Sequence, residues 1–167
     1  CLPVLRNESS DAPRKMADPI IARVIVRKQG QVLLMKRHKE GHNFFALPGG
    51  HIEQGESPEQ AARRELLEET TVTVTDMRQV YLLTTKGYGS QVIFLGEHAH
   101  GNAMLDPESH EAQLTQEGDN TYEPVWVSYA DLGETDILPS VLKERIVRDL
   151  QRGFSVQVQP LNEMESA

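Results

Sequence analysis

The segment that most constrains this chain runs from Gly50 to Glu69. A glycine turn, Gly50-His51-Ile52-Glu53-Gln54-Gly55-Glu56, is followed by Arg64-Glu65-Leu66-Leu67-Glu68-Glu69. Ser57 suits an N-cap, Pro58 the first helical position and Gln60 the third position of a capping box. The pattern predicts a helix over about 58–69. With Glu65 at 0°, Glu68 falls near about −60° and Glu69 near about +40° on a helical wheel. Ala62 and Leu66, near about 60° and 100°, mark the buried stripe, and Arg64 points away from it. A solvated acidic face should lie opposite the apolar stripe, yet Glu65 and Glu69 border it. Like charges at i,i+3 and i,i+4 repel by a few tenths of a kcal/mol when exposed, and by more when desolvated. Small Ala61 shares their arc and leaves room for an approaching group. Both a solvated face and a metal site are compatible with this spacing. If the latter, an all-oxygen donor set suits Mg²⁺ or Mn²⁺ better than zinc.

Around this helix the chain reads as alternating strands and turns. Ile20–Arg27 and Val32–Met35 form a hairpin about Lys28–Gln31. Further strands are expected at 72–74, 80–84, 91–96 and 124–127, with a Gly87–Ser90 turn. A second helix over 140–152 buries Val141, Leu142, Ile146 and Leu150, and Gly153 stands just past its end. Residues 100–122 read as a long polar connection, and residues 1–16 as a mobile extension. Strands interleaved with two helices predict an α/β (α+β) domain, a mixed sheet covered by helices, over 17–153. Residues 154–167 read as a frayed tail.

The chain has 167 residues and a formal net charge of −8, which argues against recognition of a nucleic acid polymer through its backbone. A small phosphorylated ligand stays compatible, because a bound cation reverses the local sign. No apolar run approaches the roughly 18 residues of a membrane span, and no signal peptide is visible. One cysteine suits a reducing cytoplasm. That residue, Cys1, opens the chain, and Met16 offers a natural start.

The order of residues then carries a resemblance. Gly50, five residues, Glu56, seven residues, Arg64-Glu65-Leu66, one residue, Glu68-Glu69, one residue and Thr71-Val72 resembles the Nudix box of the MutT-like hydrolases. Thr71 stands where that family usually has glycine, so a different helix exit is expected. Leu47-Pro48-Gly49-Gly50 and Pro124-Val125-Trp126-Val127 also look like the family's surroundings.

The resemblance implies an α/β/α sandwich and a Mg²⁺- or Mn²⁺-dependent hydrolase. Its substrate would be a nucleoside diphosphate derivative such as a nucleoside triphosphate, an oxidised nucleotide, ADP-ribose, a nucleotide sugar or a dinucleoside polyphosphate. A non-catalytic nucleotide- or metabolite-sensing module is the alternative. Among relatives homodimers are frequent. Carried over, Glu65, Glu68, Glu69 and the Gly49 carbonyl would hold metal. Glu56 would stand behind the metal ligands or near the attacking water, and Arg64 would orient a box glutamate, Glu68 at i+4 foremost. The base would be Glu65 or a loop carboxylate from Glu117, Asp119 and Glu123, with Glu123 nearest the Trp126 strand. Arg23 and Arg37 are candidates for substrate phosphates, and Asp119, Asn120 and Tyr122 for a base. His98 and His100 alternate at a strand end, where a metal pair would lack partners and surface histidines fit better, and His51 lies inside the box at a position where the family tolerates many residues.

Overall fold

Gln29 and Gly30 both adopt positive φ, 46° and 80°, which closes a two-residue hairpin between β1 (Ile21–Lys28) and β2 (Gln31–Lys39). The computed structural model describes residues 19–85 and 89–163. The expected extension over 1–16, with Cys1 and Met16, lies outside the described residues, as do Gly87 and Tyr88 of the expected turn. Beyond the hairpin come β3 (His42–Ala46), β4 (Gly49–His51), α1 (Pro58–Thr70), β5 (Thr73–Thr85) and β6 (Gly89–His100). These are followed by α2 (His110–Glu117), β7 (Asn120–Ser128), a 3₁₀ turn, α3 (Ser140–Arg152) and β8 (Gln159–Asn162).

All the strands join one mixed sheet in the order β3-β2-β1-β6-β5-β8, with β4 on β1 and β7 on β2. Strand β1 runs parallel to β6 from Ile21↔Gln91 to Arg27↔Glu97. Its period-2 alternation loads both faces of the sheet. Val24 and Val26 pack with Leu33, Ala62 and Leu66 under α1, whereas Ile25 packs with Leu34, Leu142 and Ile146 under α3. This is the expected sheet between helical layers.

The strands β1 and β2 pair only at their hairpin end, through Arg27↔Val32 and Lys28↔Gln31. Strand β4 takes up the other end of β1, pairing Arg23 with Gly49 and Ala22 with Gly50. Meanwhile β2 runs along β7 from Gln31↔Ser128 to Lys39↔Asn120. The two hairpin strands therefore splay, and a cleft opens between Arg23 on one and Arg37 on the other.

Three elements differ from the sequence reading. The strands expected at 72–74 and 80–84 are one strand, β5, whose polar Thr75–Arg78 interruption is absorbed as a bulge with Asp76 at φ 49°. The connection at 100–122 contains α2, of which Ala112 alone is fully buried. The expected tail returns to the sheet as β8, where Leu161 is buried against the α3-side core and pairs with Leu83. In α3, Leu142 and Ile146 are buried as expected, and so is Asp149, which accepts a hydrogen bond from the Tyr81 hydroxyl at 2.7 Å. Among the described residues, no helix is long and apolar enough to cross a membrane.

Candidate active site

The helix carrying the acidic residues starts as its sequence dictates. Ser57 Oγ accepts from the Gln60 amide at 3.1 Å, and Gln60 Oε1 accepts from the Ser57 amide at 2.8 Å. Burial of Ala61, Ala62 and Leu66 against β1 then turns Glu65 and Glu69 toward β4. Glu69 is 4% exposed, and its Oε1 accepts the Gly49 amide at 2.9 Å.

The glycines of β4 are spatial requirements. A Cβ on Gly50 would stand 2.6–2.7 Å from the Glu65 carboxylate, and one on Gly49 would stand 2.2 Å from the Ala22 carbonyl oxygen. Gly50→Ala therefore has to displace Glu65. We expect at least a tenfold loss of divalent-ion affinity with the fold retained, read by Mn²⁺ titration alongside circular dichroism.

A third carboxylate comes from outside the Gly50–Glu69 segment. Glu111, near the start of α2, brings an oxygen to Glu65 and Glu69 so that all three ligand atoms lie within 4.8 Å of one another. Its Oε2 is buried without a hydrogen-bond partner among the described residues. A buried, unpaired carboxylate oxygen beside two more carboxylates is costly unless a cation joins them. The donor set is all oxygen and fits Mg²⁺ or Mn²⁺. Burial weakens two of these acids: the Glu69 carboxyl is pushed up to about 8, chiefly by desolvation and against the Gly49 amide, and the Glu65 carboxyl is also raised, chiefly by desolvation.

Arg64 anchors the other side. Its Nε and Nη2 donate to the two Glu56 oxygens at 2.7 and 2.9 Å, and its Nη1 donates to Glu65 Oε1 at 2.9 Å. Nη2 also reaches the His51 carbonyl at 3.0 Å. Glu68, the expected partner at i+4, stands farther off at 3.6 Å and half exposed, outside the trio. The Arg64 fork holds the Glu56 carboxyl down to about 2, so Glu56 stays charged and braces Arg64.

The trio lines a cavity of about 470 Å³ together with Arg23, Arg37 and Tyr122. Arg23 Nη1 donates to the Leu47 carbonyl and Nε to Gln91 Oε1, each at 2.9 Å. Burial works against its charge and Glu69 supports it. The Arg37 guanidinium lies 3.6 Å from the Tyr122 ring centroid and donates to Asn120 Oδ1 and to the Thr121 carbonyl. A second cavity of about 470 Å³ shares Arg23, Arg37 and Ala46 and continues past Phe44, Gln91 and Leu138.

The remaining candidates separate. Glu123, Glu117 and Asp119 are exposed and do not line the acidic cavity, while Asn120 contacts it through Arg37. The further carboxylate that the structure brings to Glu65 and Glu69 is Glu111, on α2. Ser109 and Gly118, which cap that helix, were the available signals for it. His98 stacks edge-on against Trp126 and its Nε2 lies 2.7 Å from the Gly101 carbonyl, away from the carboxylates.

Comparison with known proteins agrees with this architecture. A curated RNA pyrophosphohydrolase of Mannheimia succiniciproducens is 48% identical over 63 residues, 38% of this chain and 31% of that protein. A MutT-like protein of Streptomyces ambofaciens is 41% identical over 69 residues, 40% of this chain and 44% of that protein. The chain thus spans less than half the length of these relatives. The crystal structure of a NUDIX hydrolase from Nitrosomonas europaea superposes with a TM-score of 0.66 at 19% identity, over 87% of this chain and 80% of that one, so the likeness is one of fold. Residues 17–149 match the NUDIX domain, and the chain belongs to that family.

Proposed function

We propose that this chain is a divalent-metal-dependent hydrolase that cleaves the diphosphate linkage of a nucleoside diphosphate derivative. The observation that carries this reading is the trio of half-buried Glu65, buried Glu69 and half-buried Glu111, with an unpaired buried Glu111 oxygen, facing a cavity that also presents Arg23 and Arg37. Glu65, Glu69 and Glu111 would hold the metal, with Glu68 and the Gly49 carbonyl at its margin. A bound Mg²⁺ or Mn²⁺ neutralises phosphate oxygens and lowers the pKa of bound water.

The protein's own groups do the rest. Arg64 fixes Glu65 by binding it and Glu56 together. Arg23 and Arg37 give the substrate's phosphates a positive wall. Water attacks phosphorus, the anhydride P–O bond breaks toward the departing phosphate, and a carboxylate accepts the proton released by the water. We assign that proton to Glu111, the carboxylate that α2 rather than α1 brings to the site. The organic half would occupy the second cavity. Phe44 supplies a ring there and Thr85, Gln91 and Glu163 supply polar edges, a combination that suits a nucleoside.

A substrate panel with Mg²⁺ or Mn²⁺ tests the reading. It should include nucleoside triphosphates and their oxidised forms, ADP-ribose, nucleotide sugars and dinucleoside polyphosphates. RNA bearing a 5′-triphosphate belongs in it too, since a relative is named as an RNA pyrophosphohydrolase. The expected result is release of phosphate, pyrophosphate or a nucleoside monophosphate that EDTA abolishes. Turnover that survives EDTA would overturn the metal role. Tight binding without turnover across the panel would establish a sensing module instead.

A further inference from the structure

From the helix exit we infer that Thr71 is a positioning residue, the anchor that sets Glu111 against Glu65 and Glu69. The inference rests on reading those three carboxylates as a metal site. The different helix exit expected of a threonine is not what forms: Thr71 ends α1 in the same left-handed region that glycine favours, at φ 56° and ψ 19°, with its amide donating to the Leu67 carbonyl. Glycine takes this conformation without steric cost, and a β-branched residue does not. A threonine there needs a compensating contact, and the structure contains one: Thr71 Oγ1 donates to the Asn102 carbonyl at 2.8 Å.

That bond is the first of several that fasten the chain after β6 onto the end of α1. The Met104 amide donates to the Thr70 carbonyl at 3.0 Å and the Asp106 amide to the Glu68 carbonyl at 3.2 Å. These satisfy helix-end carbonyls that would otherwise lack donors. The approach is close: a Cβ on Gly101 would lie 2.1 Å from the Thr71 carbonyl oxygen. The Asp106 carbonyl then accepts from Ser109 at both amide and hydroxyl, 3.0 and 2.8 Å. Ser109 caps α2 by accepting from the Ala112 amide at 3.1 Å. Glu111 sits in the first turn of that helix. A short covalent and hydrogen-bonded path thus links the Thr71 hydroxyl to the one member of the trio that α1 does not carry. The hydroxyl sets the register between the two helices, and the left-handed backbone at residue 71 aims it.

The test separates the hydroxyl from the backbone conformation. Thr71→Gly keeps the left-handed exit and removes the hydroxyl, Thr71→Ser retains the hydroxyl, and Gly101→Ala pushes the connection away from the other side. In metal-free protein, amide hydrogen exchange over 101–109 should quicken in Thr71→Gly while the melting temperature holds or rises. Mn²⁺ affinity, read by electron paramagnetic resonance titration, should fall by roughly tenfold, as for other residues that orient metal ligands. Thr71→Ser should stay near wild type, and Gly101→Ala should fall with Thr71→Gly. Unchanged Mn²⁺ affinity in Thr71→Gly, or equal losses in Thr71→Ser and Thr71→Gly, would overturn the inference and leave the proposed function standing. A melting temperature that drops in parallel with affinity would also overturn it, reducing Thr71 to an ordinary cap. Failure of the wild-type chain to bind Mn²⁺ would overturn both.

Discussion

Glu111→Gln should lower turnover by roughly 10²–10³-fold, the range expected when a proton-accepting or charge-stabilising group is lost. Glu123→Gln and Asp119→Asn should leave it within about twofold. The contrast follows from placement. Glu111 brings its carboxylate within 4.8 Å of Glu65 and Glu69 and has a buried oxygen without a partner, whereas Glu123 and Asp119 are exposed on and beside β7. Glutamine preserves the size of the side chain and removes its charge and its ability to take a proton. Two assays check the expectation: steady-state turnover with the best substrate of the panel, and Mn²⁺ titration of the same variants. A drop in turnover much larger than the drop in metal affinity assigns the proton to Glu111. Equal drops assign it a ligand's role alone. Full activity in Glu111→Gln would exclude it from the chemistry and return the search to Glu65.

What made the site partly legible was its locality. The Ser57 cap, the Pro58 start and the Gln60 capping box all act within one helical turn, and the predicted helix over 58–69 agrees with Pro58–Thr70. The Lys28–Gln31 turn and the helix over 140–152 were readable for the same reason: each depends on neighbours a few residues away. Glu111 was not, because α2 has almost no apolar periodicity. Ala112 alone is fully buried in it, and the helix is held by Ser109, by Gly118 and by contact with β7. Strand β8 was hidden similarly, since its parallel pairing with β5 joins residues far apart in sequence. The helical wheel placed Glu65, Glu68 and Glu69 on one arc. It could not show that Arg64 would be held by Glu56, eight residues earlier, or that Glu68 would stand outside the trio.

Glu69→Gln should stabilise the metal-free protein above pH 8 while abolishing its response to divalent ions. In the fold the Glu69 carboxyl titrates at about 8, against 4.5 for an ordinary glutamate, chiefly because burial disfavours its charge. Between these values the folded chain holds a proton that the unfolded chain has released. Unfolding free energy therefore falls as pH rises through this window, and the stability present below about 4.5 is lost by about 8. The full effect is roughly 3–5 kcal/mol, or on the order of 10 °C in melting temperature for a domain of this size. Glutamine can still accept the Gly49 amide hydrogen bond through its carbonyl oxygen, yet it carries no charge to desolvate. In EDTA the variant and wild type should melt together near pH 4.5 and diverge toward pH 8, with the variant higher. Saturating Mg²⁺ or Mn²⁺ should reverse that order, because the ion binds the wild-type carboxylates in the folded state only, and each tenfold excess over the dissociation constant adds about 1.4 kcal/mol. Thermal melts across pH with EDTA and with metal read both halves. Parallel curves for the two proteins at every pH would contradict the desolvated Glu69. An equal metal response in both would show that the ion binds elsewhere.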